Sequence, residues 1–349
     1  MSLLFNWKEI TNRSRGLTFD DVLLIPSKSE IRSRKDPILQ TRLTKTKNIQ
    51  IPIISANMDT ITESDMAIVM HKQGGLGILH RFMNTAEQVL EVIKVKEAGC
   101  QIISASVGVG EESKDRAKQI VKAGVNLLTI DIAHGHSVQM IEMMKWLKDT
   151  FPTVELIAGN LATPEAAFEL IQAGADAIKV GIGPGSMCTT RIITGCGVPQ
   201  LTAIALCVEV AREHNVPVIA DGGLKNSGDI MKALAAGADS VMVGSLLSGT
   251  LETPGEIIHG RKAYRGMASR KAQDSWRGGI PEGMAPEGES TTVAIKGHAF
   301  DVVSELCGGI RSGMSYVNAQ SIREIAEKAK FMEMSSNGIR ESKAHGLNH

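Results

Sequence analysis

Two near-identical phrases, AGADAIKVG (173–181) and AGADSVMVG (236–244), decide the fold. Each closes a helix-like stretch on Ala-Gly and runs at once into a short, β-branched apolar segment. Glycine just past a helix adopts the left-handed conformation that ends it, so the phrase reads as helix stop, then strand. The same Ala-Gly step stands at Ala98-Gly99 and Ala123-Gly124. Working outward, the apolar runs are 51–55, 75–78, 101–106, 126–131, 155–159, 177–181, 217–221 and 240–244, eight in all. Most are continuous rather than alternating, as expected of parallel strands buried on both faces. Helix starts fall between them: the capping-box order Asn84-Thr85-Ala86-Glu87, the Thr163-Pro164-Glu165 start, and Asn226-Ser227 before an Ala-rich helix. Eight strands each followed by a helix, with no hairpin signal among them, predict an α/β fold, a (β/α)8 TIM barrel over a single domain, 1–349. The alternative, a doubly wound sheet with a Rossmann fingerprint, lacks both GxGxxG after the first strand and an acidic residue after the second.

The 349 residues carry 38 basic and 38 acidic side chains, and no basic run stands out to track a phosphate backbone, which argues against a nucleic-acid partner. With 43% hydrophobic and 22% charged residues the chain reads as globular, and with 3% aromatics its core must be aliphatic. No segment is long and apolar enough for a membrane span, and the first residues lack a signal peptide's apolar stretch, so a cytoplasmic protein without a membrane partner is expected. Five scattered cysteines, Cys100, Cys188, Cys196, Cys207 and Cys307, show no CxxC spacing and argue against a disulfide framework or a structural zinc site.

A barrel of this kind carries its active site at the C-terminal ends of its strands. Polar and glycine clusters fall there: Asn57 and Asp59, His80-Arg81, Ser106 to Gly108, Asp131 to His136, Gly159-Asn160, Gly183 to Arg191, Asp221-Gly222-Gly223 and Gly244-Ser245. The last two present bare backbone where many barrels bind phosphate, which implies a phosphorylated small molecule. The sixth loop, GIGPGSMCTTR (181–191), is the most specific feature. Its glycines and Pro184 can aim carbonyls at a monovalent cation or amides at a phosphate, and Cys188 in that polar setting is a candidate nucleophile. Asp131-Ile-Ala-His134-Gly-His136 lacks a convincing third metal ligand; Asp131 at a strand end facing a cofactor fits better. Arg81 at the mouth could meet a phosphate. Two connections are long, that after the sixth strand and a Gly/Pro/Met/Ser-rich stretch at about 264–296, and such loops are usually functional. The polar residues from about 335 to 349 read as a flexible tail.

GIGPGSMCTTR, ADGGL (220–224), YRGM (264–267), SANMDT (55–60) and GGIRSGMSY (308–316) together resemble the IMP dehydrogenase/GMP reductase family, from about Gly16 to Met332. The resemblance implies a barrel, usually a homotetramer, in which a loop cysteine attacks C2 of a purine nucleotide and hydride is exchanged there with a nicotinamide cofactor. Three features resemble the reductase branch, which converts GMP to IMP and ammonia with NADPH. His80-Arg81-Phe82 runs directly into Asn84 with no regulatory CBS insertion; the flap, 267–290, lacks the dehydrogenases' Arg-Tyr pair and carries Gly278-Gly279 before Glu287-Gly288; and HRF, ISASVGV and TIDIAHGHS look like bacterial reductase segments. FDDVLLIPSKSE (19–30) and TGCGVPQLTAI (194–204) look more like dehydrogenases, and Met284 stands where animal reductases carry arginine. By resemblance, Cys188, Thr190 and Glu287 are catalytic. Asp221, Gly222, Gly223, Gly244 and Ser245 anchor the 5′-phosphate, and Gly266, Met267, Ala268 and the stretch 284–288, with Gly288, meet the base. Asp131, Ile132, Ala133, Ile182, Gly183, Arg81, Ser33 and Arg34 meet the cofactor, the arginines serving its extra phosphate. Gly183, Gly185 and Cys188 hold K⁺, with Arg191 beside them.

Overall fold

The computed structural model describes residues 3–342. Eight parallel strands close on themselves: β1 (Ile53–Ser55), β2 (Leu76–Leu79), β3 (Ser104–Val107), β4 (Leu127–Asp131), β5 (Glu155–Leu161), β6 (Ala177–Val180), β7 (Val218–Asp221) and β8 (Ser240–Val243). The seam pairs Val241 with Ile53 and Val243 with Ser55. The fold is the (β/α)8 barrel expected. Eight helices cover it: α1 (Ser64–Lys72), α2 (Thr85–Glu97), α3 (Glu111–Ala123), α4 (Val138–Thr150), α5 (Pro164–Gln172), α6 (Gln200–Glu213), α7 (Ser227–Ala235) and α8 (Ala299–Tyr316). The expected caps form: Asn84 and Glu87 exchange side-chain to backbone hydrogen bonds at 2.9 and 3.0 Å, Thr163 accepts from the Ala166 N–H, and Asn226 from the Asp229 N–H. In the repeated phrase, Gly174 and Gly237 take φ of +105° and +106°, ending α5 and α7 as read.

Strand ends differ from the apolar runs by up to three residues. The third begins at Ser104 rather than 101, because the Asn126 side chain takes the Ile103 N–H before the ladder starts. Small antiparallel ladders lie outside the barrel. Phe331–Glu333 pairs between Leu4–Phe5 and Val22–Leu24, and Arg261–Arg265 pairs with Ser290–Ala294. The second ladder, with a helix at Arg270–Arg277 capped by Ser269, gives regular structure to the stretch expected to be an irregular flap. Its alternation was hidden by Lys262, which points inward because its ammonium donates to the Leu251 and Thr253 carbonyls at 2.9 and 2.5 Å. Of the expected tail, Ser336–Glu341 is a short helix capped by Ser335, and 343–349 lie outside the described residues. Among the described residues no helix is long and apolar enough to cross a membrane.

Candidate active site

The C-terminal strand ends and the flap enclose a cleft of about 420 Å³. Its floor is set by backbone that tolerates no side chain. At Gly181, which has φ of +155°, a Cβ would lie 1.9 Å from the Asp221 carbonyl oxygen; at Gly222 it would lie 2.9 Å from the Pro184 ring. The β6 and β7 loops touch because these positions are bare.

Cys188 sits half-buried at the turn of the β6 loop, its N–H donating to the Gly185 carbonyl at 3.1 Å. Its thiol donates to the Thr190 hydroxyl at 3.1 Å, and Thr190 donates to Glu287 at 2.8 Å. The chain S–H, O–H, carboxylate leads a proton away from sulfur and can return it. Glu287 is held by the flap lying on the loop: Glu287 N–H donates to Ala268 O at 3.0 Å, Thr189 N–H to Glu287 O at 3.1 Å and Glu289 N–H to Met187 O at 2.8 Å. Burial pushes the Cys100 and Cys207 thiols up and that of Cys307 up to about 11, which leaves them protonated and inert.

On the opposite wall Lys179, 1% exposed, donates to Asp221 at 2.7 Å, to Asp131 at 2.9 Å and to the Asn160 side-chain oxygen. Burial opposes charge on Asp131, but the Lys179 ammonium, Arg81 and the Asn57 amide outweigh it and hold the carboxyl below its usual range. Burial likewise opposes the charge on Lys179, and the two carboxylates outweigh it and push its pKa up. The Arg81 guanidinium lies 4.8 Å from the Phe82 ring and 5.8 Å from that of Trp276, which meets Phe82 edge-on. Burial lowers the Arg81 pKa, and Arg81 Nε and Trp276 Nε1 find no protein partner. Asp59 holds Arg265 at 2.5 Å, fastening the flap ladder to the β1 loop.

The cleft gathers Cys188, Thr190, Glu287, Asp131, Ile132, Ala133, Arg81, Ile182, Gly183, Gly185, Asp221, Gly222, Gly223, Gly244, Ser245, Gly266, Met267 and Ala268. Other residues singled out in the sequence lie apart from this lining. Gly288 backs onto Ser269 and Met187 behind the cleft wall. Ser33 and Arg34 are exposed and outside it; Arg34 lies 5.9 Å from the Tyr316 ring on α8. The Arg191 side chain donates to the Ile182 and Val198 carbonyls at 3.3 and 2.6 Å and so braces the loop, which leaves only its backbone carbonyl as a ligand for a cation. Ser106 to Gly108 are not on the cleft wall, since Ser106 donates to the Leu79 carbonyl. His136 pairs with Glu169 at 3.2 Å, and no group of three or more metal-ligating side chains occurs among the described residues. Sequence reasoning missed Lys179, Trp276 and Tyr264, whose hydroxyl meets Ser186 at 2.9 Å. A signal for Lys179 existed: the second copy of the repeated phrase has Met242 at its place.

A closed barrel with a cysteine, a threonine and a carboxylate in hydrogen-bonded series within the cleft at its mouth has the layout of a barrel enzyme. The comparisons make this specific. The profile of the IMP dehydrogenase / GMP reductase domain matches residues 16–345, and the chain belongs to that family of oxidoreductases, which use a nicotinamide cofactor in purine metabolism. It is 43% identical to an inosine-5′-monophosphate dehydrogenase of Cryptosporidium parvum, covering 96% of each chain, and 37% identical to that of Aquifex aeolicus, covering 95% of this chain and 96% of the other. It also superimposes on the crystal structure of a Trypanosoma brucei GMP reductase variant in complex with guanosine 5′-monophosphate, with a TM-score of 0.91 and 33% identity, covering 97% of this chain and all of that one. The Aquifex alignment runs over 469 positions against this chain's 349 residues, whereas the Cryptosporidium one runs over 389. A dehydrogenase can therefore be nearly as short as this chain, and the missing insertion loses its force as a mark of the reductase branch.

Proposed function

We propose that the protein is a GMP reductase, converting GMP to IMP and ammonia with NADPH in the cytoplasm, as a homotetramer like its family. The observation that carries the reading is the series from Cys188 through Thr190 to a carboxylate, Glu287, under a flap without an Arg-Tyr pair. The Cys188 thiol gives its proton through Thr190 to Glu287 as sulfur adds to C2 of GMP. The same relay returns a proton to the C2 amine, which leaves as ammonia. NADPH, held on the Asp131 and Arg81 side of the cleft, would supply the hydride for C2, after which the C–S electron pair would leave on Cys188 as the thiolate and IMP would depart. Trp276 and Phe82, edge to face in the cleft lining, supply apolar surface that would disfavour water beside the covalent purine.

The residues fit both auxiliary groups. The unpartnered Arg81 Nε and Trp276 Nε1, with Asp131 across from them, suit the polar and aromatic parts of a dinucleotide. The carbonyls of Gly183 and Cys188 accept no hydrogen bond from any described residue, and with Gly185 they form a neutral oxygen set that suits K⁺. The Asp221 carboxylate would repel a phosphate, so it takes ribose hydroxyls, and the bare backbone of Gly222, Gly223 and Gly244, with the Ser245 N–H and hydroxyl, takes the phosphate. A second reading, an IMP dehydrogenase making XMP with NAD⁺, is favoured by the named dehydrogenases among its relatives. Absorbance of the reduced cofactor decides between them: consumption with GMP and NADPH is expected, and rapid production with IMP and NAD⁺ would overturn the reductase reading.

A further inference from the structure

Lys179 differs from every other lysine described in the chain: it points into the barrel mouth with its ammonium spent on three acceptors, one from each of three strands. Asp131 ends β4, Asn160 lies in β5 and Asp221 ends β7. Three acceptors are the full complement of an ammonium, so its position is set by all three. Asn160 closes the ring, donating to Asp221 at 3.0 Å and to the Gly181 carbonyl at 2.7 Å. The stem is fitted as closely as the head, since a Cβ at Gly159 would lie 2.9 Å from Lys179 Cβ and 3.0 Å from its Cε. Asp131 faces the Arg81 and Trp276 side of the cleft, and Asp221 the glycine loops of the β7 and β8 ends.

We propose that Lys179 is a positioning residue that fixes Asp131 and Asp221 relative to one another, so that the nucleotide and cofactor halves of the cleft are formed together and each ligand's affinity depends on it. The inference rests on the functional reading only in taking the cleft to hold a purine nucleotide beside a nicotinamide cofactor. Without the ammonium the two carboxylates repel across the gap it filled, and both subsites lose their geometry. Neither carboxylate touches Cys188, Thr190 or Glu287. The loss is therefore expected in binding rather than in the chemical step.

The experiment compares wild type, Lys179→Met, Lys179→Arg and the double variant Asp131→Asn with Lys179→Met, using whichever pair the wild type turns over, GMP with NADPH or IMP with NAD⁺. In Lys179→Met both KM values should rise by about tenfold or more, the equivalent of one charged hydrogen bond, with a smaller change in kcat. Lys179→Arg should recover part of both. The double variant rebalances the buried charge and should recover the nucleotide KM while the cofactor KM stays high; it carries the measurement should Lys179→Met fail to fold. A fall in kcat with neither KM moved, or movement of only one KM in Lys179→Met, would overturn the proposal. Calorimetry of GMP and IMP on the wild type separates the failures: no binding of either sinks the functional reading, whereas normal binding with unmoved KM values in the variants sinks this inference alone.

Discussion

The two copies of the repeated phrase, 173–181 and 236–244, fold alike and do different work. Asp176 and Asp239 stand at the same place in each copy. Asp176 accepts the Leu156 N–H at 2.8 Å, Asp239 the Val218 N–H at 2.9 Å, and each returns its own N–H to the same residue's carbonyl. Each aspartate thus starts its strand against the preceding neighbour in the barrel, β6 against β5 and β8 against β7. At the other end the copies part: Lys179 gathers two carboxylates where Met242 is a 2% exposed apolar side chain. The β6 loop then carries Cys188, and Tyr264 meets its Ser186 through the hydroxyl at 2.9 Å, while the β8 loop carries Gly244-Ser245. The shared aspartates start the two strands at the barrel floor, the shared glycines Gly181 and Gly244 line the cleft in both copies, and Lys179 against Met242 is where the mouth of the barrel gains its charge.

This division is broken or sharpened first at the two loops. Cys188→Ala should abolish turnover, by more than about 10³-fold, with GMP still bound, while Ser245→Ala should raise the KM for nucleotide and leave kcat near the wild-type value. Equal losses of kcat in both would mean that the β8 loop shares in the chemistry. Next in size, Glu287→Gln keeps a hydrogen-bond acceptor for Thr190 but cannot hold a proton, and should cost about 10²–10⁴-fold in kcat. A rate unchanged by it, followed from pH 6 to 9, would remove the carboxylate from the relay.

The contrast also explains how much could be read in advance. The eight strands were legible because parallel strands buried on both faces are plain apolar runs, and the helix ends because Asn84, Thr163, Asn226 and the Ala-Gly steps act within a few residues. The Arg261–Arg265 ladder was not, since its inward Lys262 is satisfied by carbonyls ten residues away in sequence. Nor was the role of Lys179, which depends on acceptors 19 to 48 residues distant. Glu287 lies 97 residues beyond Thr190, and only the family resemblance brought it to Cys188 before the geometry did. Local chemistry was visible and long-range charge pairing was not.

The two aspartates allow a test at the barrel floor. Truncating either to Ala orphans a strand's backbone N–H and should cost about 1–3 kcal/mol in urea denaturation, as for any buried donor left unpaired. A cost in one copy alone would mean that the repeat is a likeness of letters only.

The smallest effect separates the pair by pH. Asp176 holds Lys148 at 2.5 Å, whereas Asp239 has no ion-pair partner within 4 Å among the described residues. Burial raises the Asp239 pKa, outweighing the Val218 N–H and the more distant positive charges of Arg42, Arg212 and Arg323. A folded-state pKa above the unfolded one means that the native protein holds this proton more tightly. Stability is therefore lost as pH rises above the ordinary aspartate value of about 3.9 and through the raised folded-state pKa. Asp239→Asn keeps an oxygen for the Val218 N–H and removes that cost, so it should match or exceed wild type at pH 7.5 and lose the advantage toward pH 4.5. Asp176→Asn gives up its lysine and should be the less stable at pH 7.5. Denaturation midpoints at the two pH values decide it, and an Asp239→Asn variant destabilised at pH 7.5 as much as Asp176→Asn would show that the two floors are charged alike.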